Sequence, residues 1–264
     1  MVEITFTQLH AWLSLFLWPF MRITALMLSA PLWGHSAVPT QAKIGLAGAI
    51  SVVISPMLPP LPDVPVASWA GFGLVVEQLI IGVAMGLCVR VILVVVQATG
   101  EFIGLQMGLA FATFFDPSSG TNMVVISRFL YMITLLMFLA VNGHLIVLEL
   151  LITSFETLPI GIQRFNPEAF ILLARYGGTI FATGLLLALP LVAPLLTINL
   201  ALGILNRAAP QLTVFNIGFP TSLSVGLALL MVLMTDLGRF LQRHFHQGLD
   251  FLQSLLDTLA PLAS

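Results

Sequence analysis

An all-α integral membrane-type protein is the fold class this sequence predicts, and two observations predict it. Hydrophobic residues make up 59% of the 264 positions and charged residues only 8%, where an ordinary soluble domain has about a quarter of its residues charged. The apolar residues fall in long runs separated by short Pro- and Gly-containing turns, and a run of about 20 apolar residues is enough to span a bilayer. The balance of charge narrows the class further. A net charge of −2 gives no basic surface for nucleic acid. Cys88, the single cysteine, lies inside an apolar run, which excludes disulfides and thiolate metal sites. Glu3 is the first charged residue and no basic segment precedes the first apolar run, so that run reads as a retained helix and not a cleaved signal peptide.

The first segment runs from about Gln8 to Trp33, with Pro19 expected to kink it and Arg22 in its middle. A turn at Gly34–Pro39 leads to a second segment, Thr40 to Leu58. The run Pro59-Pro60-Leu61-Pro62-Asp63-Val64-Pro65 is a stiff extended linker. From Trp69 to about Leu109 no proline interrupts the chain. As one helix it measures about 60 Å at 1.5 Å per residue, twice the roughly 30 Å of a bilayer core. It either breaks near a glycine or projects beyond the bilayer within a larger assembly. Val124–Phe155 is also overlong, with Asn142-Gly143-His144 as its one break, and so is Pro167–Leu205, where Pro190 and Pro194 predict a strong bend. Asn206–Pro220 is a polar-tipped turn before Thr221–Thr235. After it, Leu237, Leu241, Phe245, Leu249, Leu252, Leu256 and Leu259 recur at helical spacing and predict an amphipathic helix on a membrane surface or a partner. Across these roughly six notional spans Lys and Arg are too evenly spread to set an orientation.

The stretch Gly100–Met123 organises the chain. Gly100, Gly104 and Gly108 recur every fourth residue, a ridge where a second backbone comes close. Met107, Leu109, Phe111, Phe114 and Phe115 follow, and Asp116-Pro117-Ser118-Ser119-Gly120 ends the helix in a type I turn, with Thr121 or Asn122 to cap the next. Such a Phe-rich loop needs protein around it or a cavity to fill. As an ordinary buried packing element it is explained about as well.

The ionisable residues within apolar segments are Arg22, Glu77, Arg90, Glu101, Arg128 and Glu149, with Arg207 at the following turn. Charge inside a membrane is costly and points to function or pairing. Arg90 and Glu101 sit about 16 Å apart along one helix and cannot pair directly, so interhelical or intersubunit pairs are favoured over a proton relay. The histidines lack metal-ligand spacing, and no catalytic constellation or phosphate loop is present. Gly82 and Gly86 form a small-residue pair that is weak evidence by itself.

The run GEFIGLQMGLAFATFFDP at Gly100–Pro117 closely resembles the signature of the FliR/SctT family of export-gate subunits. Further similarities extend over roughly residues 10 to 240. They include Arg22 with Ala30-Pro31, Val38-Pro39 and Lys43; Glu77-Gln78 with Gly82 and Gly86; and Asn142-Gly143-His144 with Ser154-Phe155 and Leu158-Pro159-Ile160-Gly161. Asn199, Gly203, Asn206-Arg207, Pro210-Gln211-Leu212 and Gly218-Phe219-Pro220 complete the set.

The resemblance implies long kinked apolar helices and helical hairpins, buried in a hetero-oligomeric helical gate. Residues 1–185 form a FliP-like part, 186–236 a FliQ-like hairpin and 237–264 an amphipathic C-terminal helix. The family's plug loop falls at about 106–122, with Gln106, Met107, Leu109, Phe111, Phe114, Phe115, Asp116 and Pro117 as its residues. Fully extended, the whole stretch 106–122 reaches about 55 Å. The implied partners are FliP and FliQ in the gate core, FlhB at the cytoplasmic mouth, FlhA beside it, unfolded flagellar export substrates, and membrane lipid. The implied location is the bacterial inner membrane within the flagellar basal body. No cofactor and no catalysis are implied; energy comes from the proton motive force and an ATPase elsewhere. The alternative is a secondary transporter, which needs a midplane site between broken helices, usually in repeated halves.

Overall fold

The computed structural model describes residues 6–109, 125–161, 165–208 and 217–260. Among them the chain is all α-helical, with no strand. The helices are α1 Phe6–Ser29, α2 Pro31–Gly34, α3 Thr40–Ile54, α4 Trp69–Gln106, α5 Val125–Ala140, α6 Gly143–Thr157, α7 Pro167–Ala208 and α8 Phe219–Leu259. Contacts divide the chain into two compact units. One comprises Met1–Val91, Asn142–Gly177 and His246–Ser264, the other Ile92–Val141 and Gly178–Phe245.

The overlong segments resolve by local chemistry. α4 is a single helix of 38 residues, about 57 Å at 1.5 Å per residue, because nothing in it removes a backbone donor. Ser68 starts it: its hydroxyl accepts from the Gly71 N–H at 3.0 Å, satisfying one of the orphan donors of the first turn. α7 has 42 residues and runs through both Pro190 and Pro194 without being split. It begins at Asn166, whose Oδ1 accepts from the Glu168 N–H at 3.0 Å, with Pro167 in the first helical position. The second apolar segment gives only the 15 residues of α3, too few to cross a bilayer core. Among the described residues the six notional spans are therefore four long apolar helices, or five if α5 and α6 together count as one broken span.

The break between α5 and α6 lies at Asn142, which takes left-handed backbone angles, φ 58° and ψ 24°. Asn tolerates this region better than residues with larger or branched side chains. Asn142→Gly is expected to leave the thermal midpoint of the purified protein unchanged or slightly raised. Asn142→Val is expected to cost about 1–2 kcal/mol through the Cβ clash, and equal midpoints for the two variants would refute the argument.

In the first unit α1 packs on α3, and α1 crosses α4 where Gly82 and Gly86 leave no side chain. A Cβ at Gly82 would strike the Arg22 carbonyl oxygen and lie 2.7 Å from Ala25 Cβ; one at Gly86 would strike Ser29 Oγ and lie 2.9 Å from the Ala30 nitrogen. The small-residue pair that is weak evidence in the sequence is thus a close helix crossing. Trp18, Ile23, Leu26 and Met27 of α1 and Leu74, Ile81, Met85 and Val89 of α4 are buried here.

In the second unit a Cβ at Gly100 would strike Ser127 Cα of α5, and the Ser127 hydroxyl donates to the Gln97 carbonyl at 2.9 Å. Thr99 donates to the Gly184 carbonyl of α7 at 3.1 Å. Phe138 and Phe245 meet edge to face at 5.2 Å.

The C-terminal segment departs from expectation. It is no separate surface helix but the continuation of α8, which runs unbroken for 41 residues. Its apolar face, Leu237, Leu241, Phe245, Leu249, Leu252, Leu256 and Leu259, is buried within the chain itself. Phe251 stacks on Tyr176 with ring centroids 3.8 Å apart. An amphipathic stripe specifies that a helix is covered, not what covers it.

Candidate functional site

The polar centre of the first unit is Arg22. It sits in the apolar helix α1 with no exposed surface, so every donor of its guanidinium needs a partner. Its Nε donates to Gln78 Oε1 of α4 at 2.8 Å. One terminal nitrogen donates to the Ser154 carbonyl at 2.7 Å and the Ser154 hydroxyl at 3.0 Å, and the other to the Leu158 carbonyl at 2.7 Å. The cation also lies over the Phe155 ring, 4.2 Å from its centroid, an attraction that desolvation strengthens. One planar fork thereby joins α1, α4 and the C-terminal end of α6, where the Leu158 carbonyl lies past the helix and the Ser154 carbonyl, which also accepts from the Leu158 N–H at 3.0 Å, offers its second lone pair.

The other charges of the set are arranged differently. Glu77, half-buried and one residue before Gln78, interacts electrostatically with Arg22. Glu101 is half-buried, whereas Arg90, Arg128, Glu149 and Arg207 are exposed on this chain. Of the set, Arg22 alone is fully buried here. Within this chain Arg22 is held chiefly by carbonyls, a hydroxyl and an amide. Helical periodicity places a charge on a face without specifying whether the chain's own helices cover that face.

The second feature is the end of α4. Gly108 has φ 78°, a conformation open to glycine at little cost. Its N–H donates to the Leu105 carbonyl at 3.1 Å, and the Leu109 N–H donates to the Gly104 carbonyl at 3.0 Å. These paired bonds form a Schellman motif that closes the helix. Gly108 is therefore the cap past the end of α4 and not the third member of a glycine ridge. Gly100 lies against α5, and Gly104 is buried.

Met107, which the resemblance places among the loop residues, has no exposed surface. It fills the space left by Gly226 of α8, where a Cβ would lie 2.5 Å from its Cγ. Gln106 and Leu109 are half-exposed. Phe111, Phe114, Phe115, Asp116 and Pro117, with the turn at Asp116–Gly120 and the caps Thr121 and Asn122, lie outside the described residues, as do Pro210, Gln211 and Leu212.

Sequence reasoning did not single out Ser154, Asn199, Ser222 or Gly226 as site residues. Arg22 was the available signal for the first: a guanidinium in an apolar helix demands several acceptors. Asn199 belongs to the residues that carry the family resemblance, which gives it no role, and nothing local marks Ser222 or Gly226.

Long apolar helices, a buried arginine tying them together and a capped helix end before a Phe-rich stretch define an integral-membrane-type helical protein. The chain matches the family described as bacterial export proteins, family 1, over residues 13–248. It is 46% identical over 259 residues to the flagellar biosynthetic protein FliR of Escherichia coli (strain K12), covering 98% of this chain and 99% of that protein. Identity is 47% over 249 residues to the protein of the same name from Pectobacterium carotovorum subsp. carotovorum (94% and 95% covered), and 30% over 244 residues to that of Bacillus subtilis (strain 168), with 91% and 94% covered. The chain belongs to this family of bacterial export proteins, among its FliR members, and is a flagellar export component.

Proposed function

We propose that this chain is a structural and gating subunit of the flagellar type III export gate, helping to form and seal the channel through which unfolded flagellar proteins cross the inner membrane. In this reading it acts within the basal body, assembled with FliP and FliQ, with FlhB at the cytoplasmic mouth and FlhA nearby, and catalyses nothing itself. Residues 1–185 form the FliP-like part, 186–236 the FliQ-like hairpin, and 237–264 the amphipathic C-terminal segment, which up to Leu259 continues α8.

The observation that carries the proposal is the end of α4. A helix about 57 Å long is closed by Gly108 directly before the Phe-rich stretch, so that stretch leaves from a fixed root. Adaptable apolar side chains close a lumen by excluding water. Large exposed hydrophobics on α7 and α8, among them Phe181, Leu186, Leu200 and Met231, support burial of those helices against partners or lipid.

The triple variant Phe111→Ser, Phe114→Ser, Phe115→Ser tests the proposal. Recovery of the complex with FliP and FliQ should be unchanged, while small solutes leak across the inner membrane and growth slows. If the rings were ordinary core, each loss would cost about 3–5 kcal/mol and the complex would be lost before any leak. Intact complex without a leak rules the stretch out as the seal.

A further inference from the structure

The last turn of a helix leaves carbonyls without intrahelical partners. In α4 the carbonyls of Gly104 and Leu105 are taken by the Schellman motif. The carbonyl of Gln106 accepts instead from Asn199 Nδ2 of α7 at 3.1 Å. Asn199 Oδ1 accepts in turn from the Ser222 hydroxyl of α8 at 2.8 Å. The amide orientation follows from chemistry, because only the Asn199 amide nitrogen can donate to a carbonyl oxygen. Ser222 is buried, so its hydroxyl has no water to turn to.

The next residue, Met107, is fully buried over Gly226 of α8. A Cβ at Gly226 would lie 2.5 Å from Met107 Cγ and 2.8 Å from both its Sδ and Cε. Two helices thus grip the last residue of α4 and the one after it by different means, one a relayed hydrogen bond and the other shape. All these groups lie within the second unit.

We propose that Asn199, Ser222 and Gly226 form a clasp that fixes the point and direction at which the chain leaves α4, and that they are positioning residues for the Phe-rich stretch after Leu109. This rests on the sealing role proposed above. The clasp holds the root of that stretch through a backbone carbonyl and a methionine.

The test is a disulfide within the whole complex. Met107 Cγ is one bond from Cβ, which brings the Cβ atoms of the pair Met107→Cys and Gly226→Cys within about 4 Å, close enough for a disulfide. Mild oxidation in isolated membranes should cross-link most chains. Asn199→Leu should lower the cross-linked fraction about three-fold, the effect of losing roughly one hydrogen bond, and let solutes leak. Ser222→Ala should act in the same direction more weakly, with Ser222→Thr, which keeps the hydroxyl, closer to the parent. Oxidising the cysteine pair in the Asn199→Leu background should restore the seal, which a general loss of structure would not allow.

An unchanged cross-linked fraction in both Asn199→Leu and Ser222→Ala overturns the clasp. Should Asn199→Leu fail to assemble, Ser222→Ala decides. A looser clasp without a leak, in cells where the triple Phe variant does leak, overturns the positioning role. Where the triple Phe variant is itself tight, the sealing role has failed and cross-linking alone judges the clasp.

Discussion

Arg22→Leu is expected to remove most of the folded chain from membranes and to lower the thermal midpoint of whatever complex remains by roughly 10 °C. The substitution deletes four hydrogen bonds in one step and leaves the Gln78 amide, the Ser154 hydroxyl and the carbonyls of Ser154 and Leu158 facing an apolar side chain. Breaking a buried charged network from one side costs about 3–5 kcal/mol, a large part of the roughly 5–15 kcal/mol that holds a folded domain together. Arg22→Lys separates charge from shape. It keeps the cation but offers a single ammonium in place of a planar fork, so it should fall between the parent and Arg22→Leu. Gln78→Leu removes one partner and should cost less than either. The readouts are the amount of chain in membranes and the melting of the purified complex. A parental midpoint for Arg22→Leu would mean that the hydrogen-bonded hub does not hold α1, α4 and α6 together.

The second large effect is expected from adding single methyl groups where α1 crosses α4. Gly82→Ala with Gly86→Ala should abolish assembly of the proposed gate complex, and motility with it. At both positions the new Cβ meets backbone or near-backbone atoms of α1, including the Leu26 nitrogen at 3.0 Å and the Ala30 nitrogen at 2.9 Å. Backbone cannot rotate away as a side chain can, so the helices must separate, and overpacking costs about 1–3 kcal/mol per site. Separation would also pull Arg22 from Gln78, coupling the crossing to the polar hub. Gly73→Ala provides the control on the same helix, because a Cβ there meets nothing within 4 Å. It should be neutral or stabilise the helix by about 0.5–1 kcal/mol. A motile Gly82→Ala, Gly86→Ala strain would show that α1 and α4 are not closely packed.

These two results concern residues whose importance the sequence showed unequally. Arg22 stands out in any reading, since charge in an apolar run must be accounted for. Gly82 and Gly86 do not, since small residues four apart arise often in apolar helices. What separates them from Gly73 is whether another helix crosses there, and that depends on α1, more than fifty residues away in the chain.

By itself the sequence determined the membrane-type, all-helical class, the overlong proline-free run that forms α4, the break at Asn142-Gly143-His144 and the family resemblance. Each rests on local properties: composition, the presence or absence of proline, residues that tolerate left-handed backbone, and a run of consecutive letters. The tertiary structure alone decided which charges are buried, since Arg22 and Arg90 look alike in apolar helices and differ only in what packs over them. It decided that Gly108 caps α4 instead of extending a ridge. It decided that the apolar face from Leu237 to Leu259 is covered by the chain's own helices, and that Asn199, Ser222 and Gly226 close on the end of α4. Those outcomes depend on contacts between residues far apart in sequence, which helical periodicity orients toward a face but cannot pair.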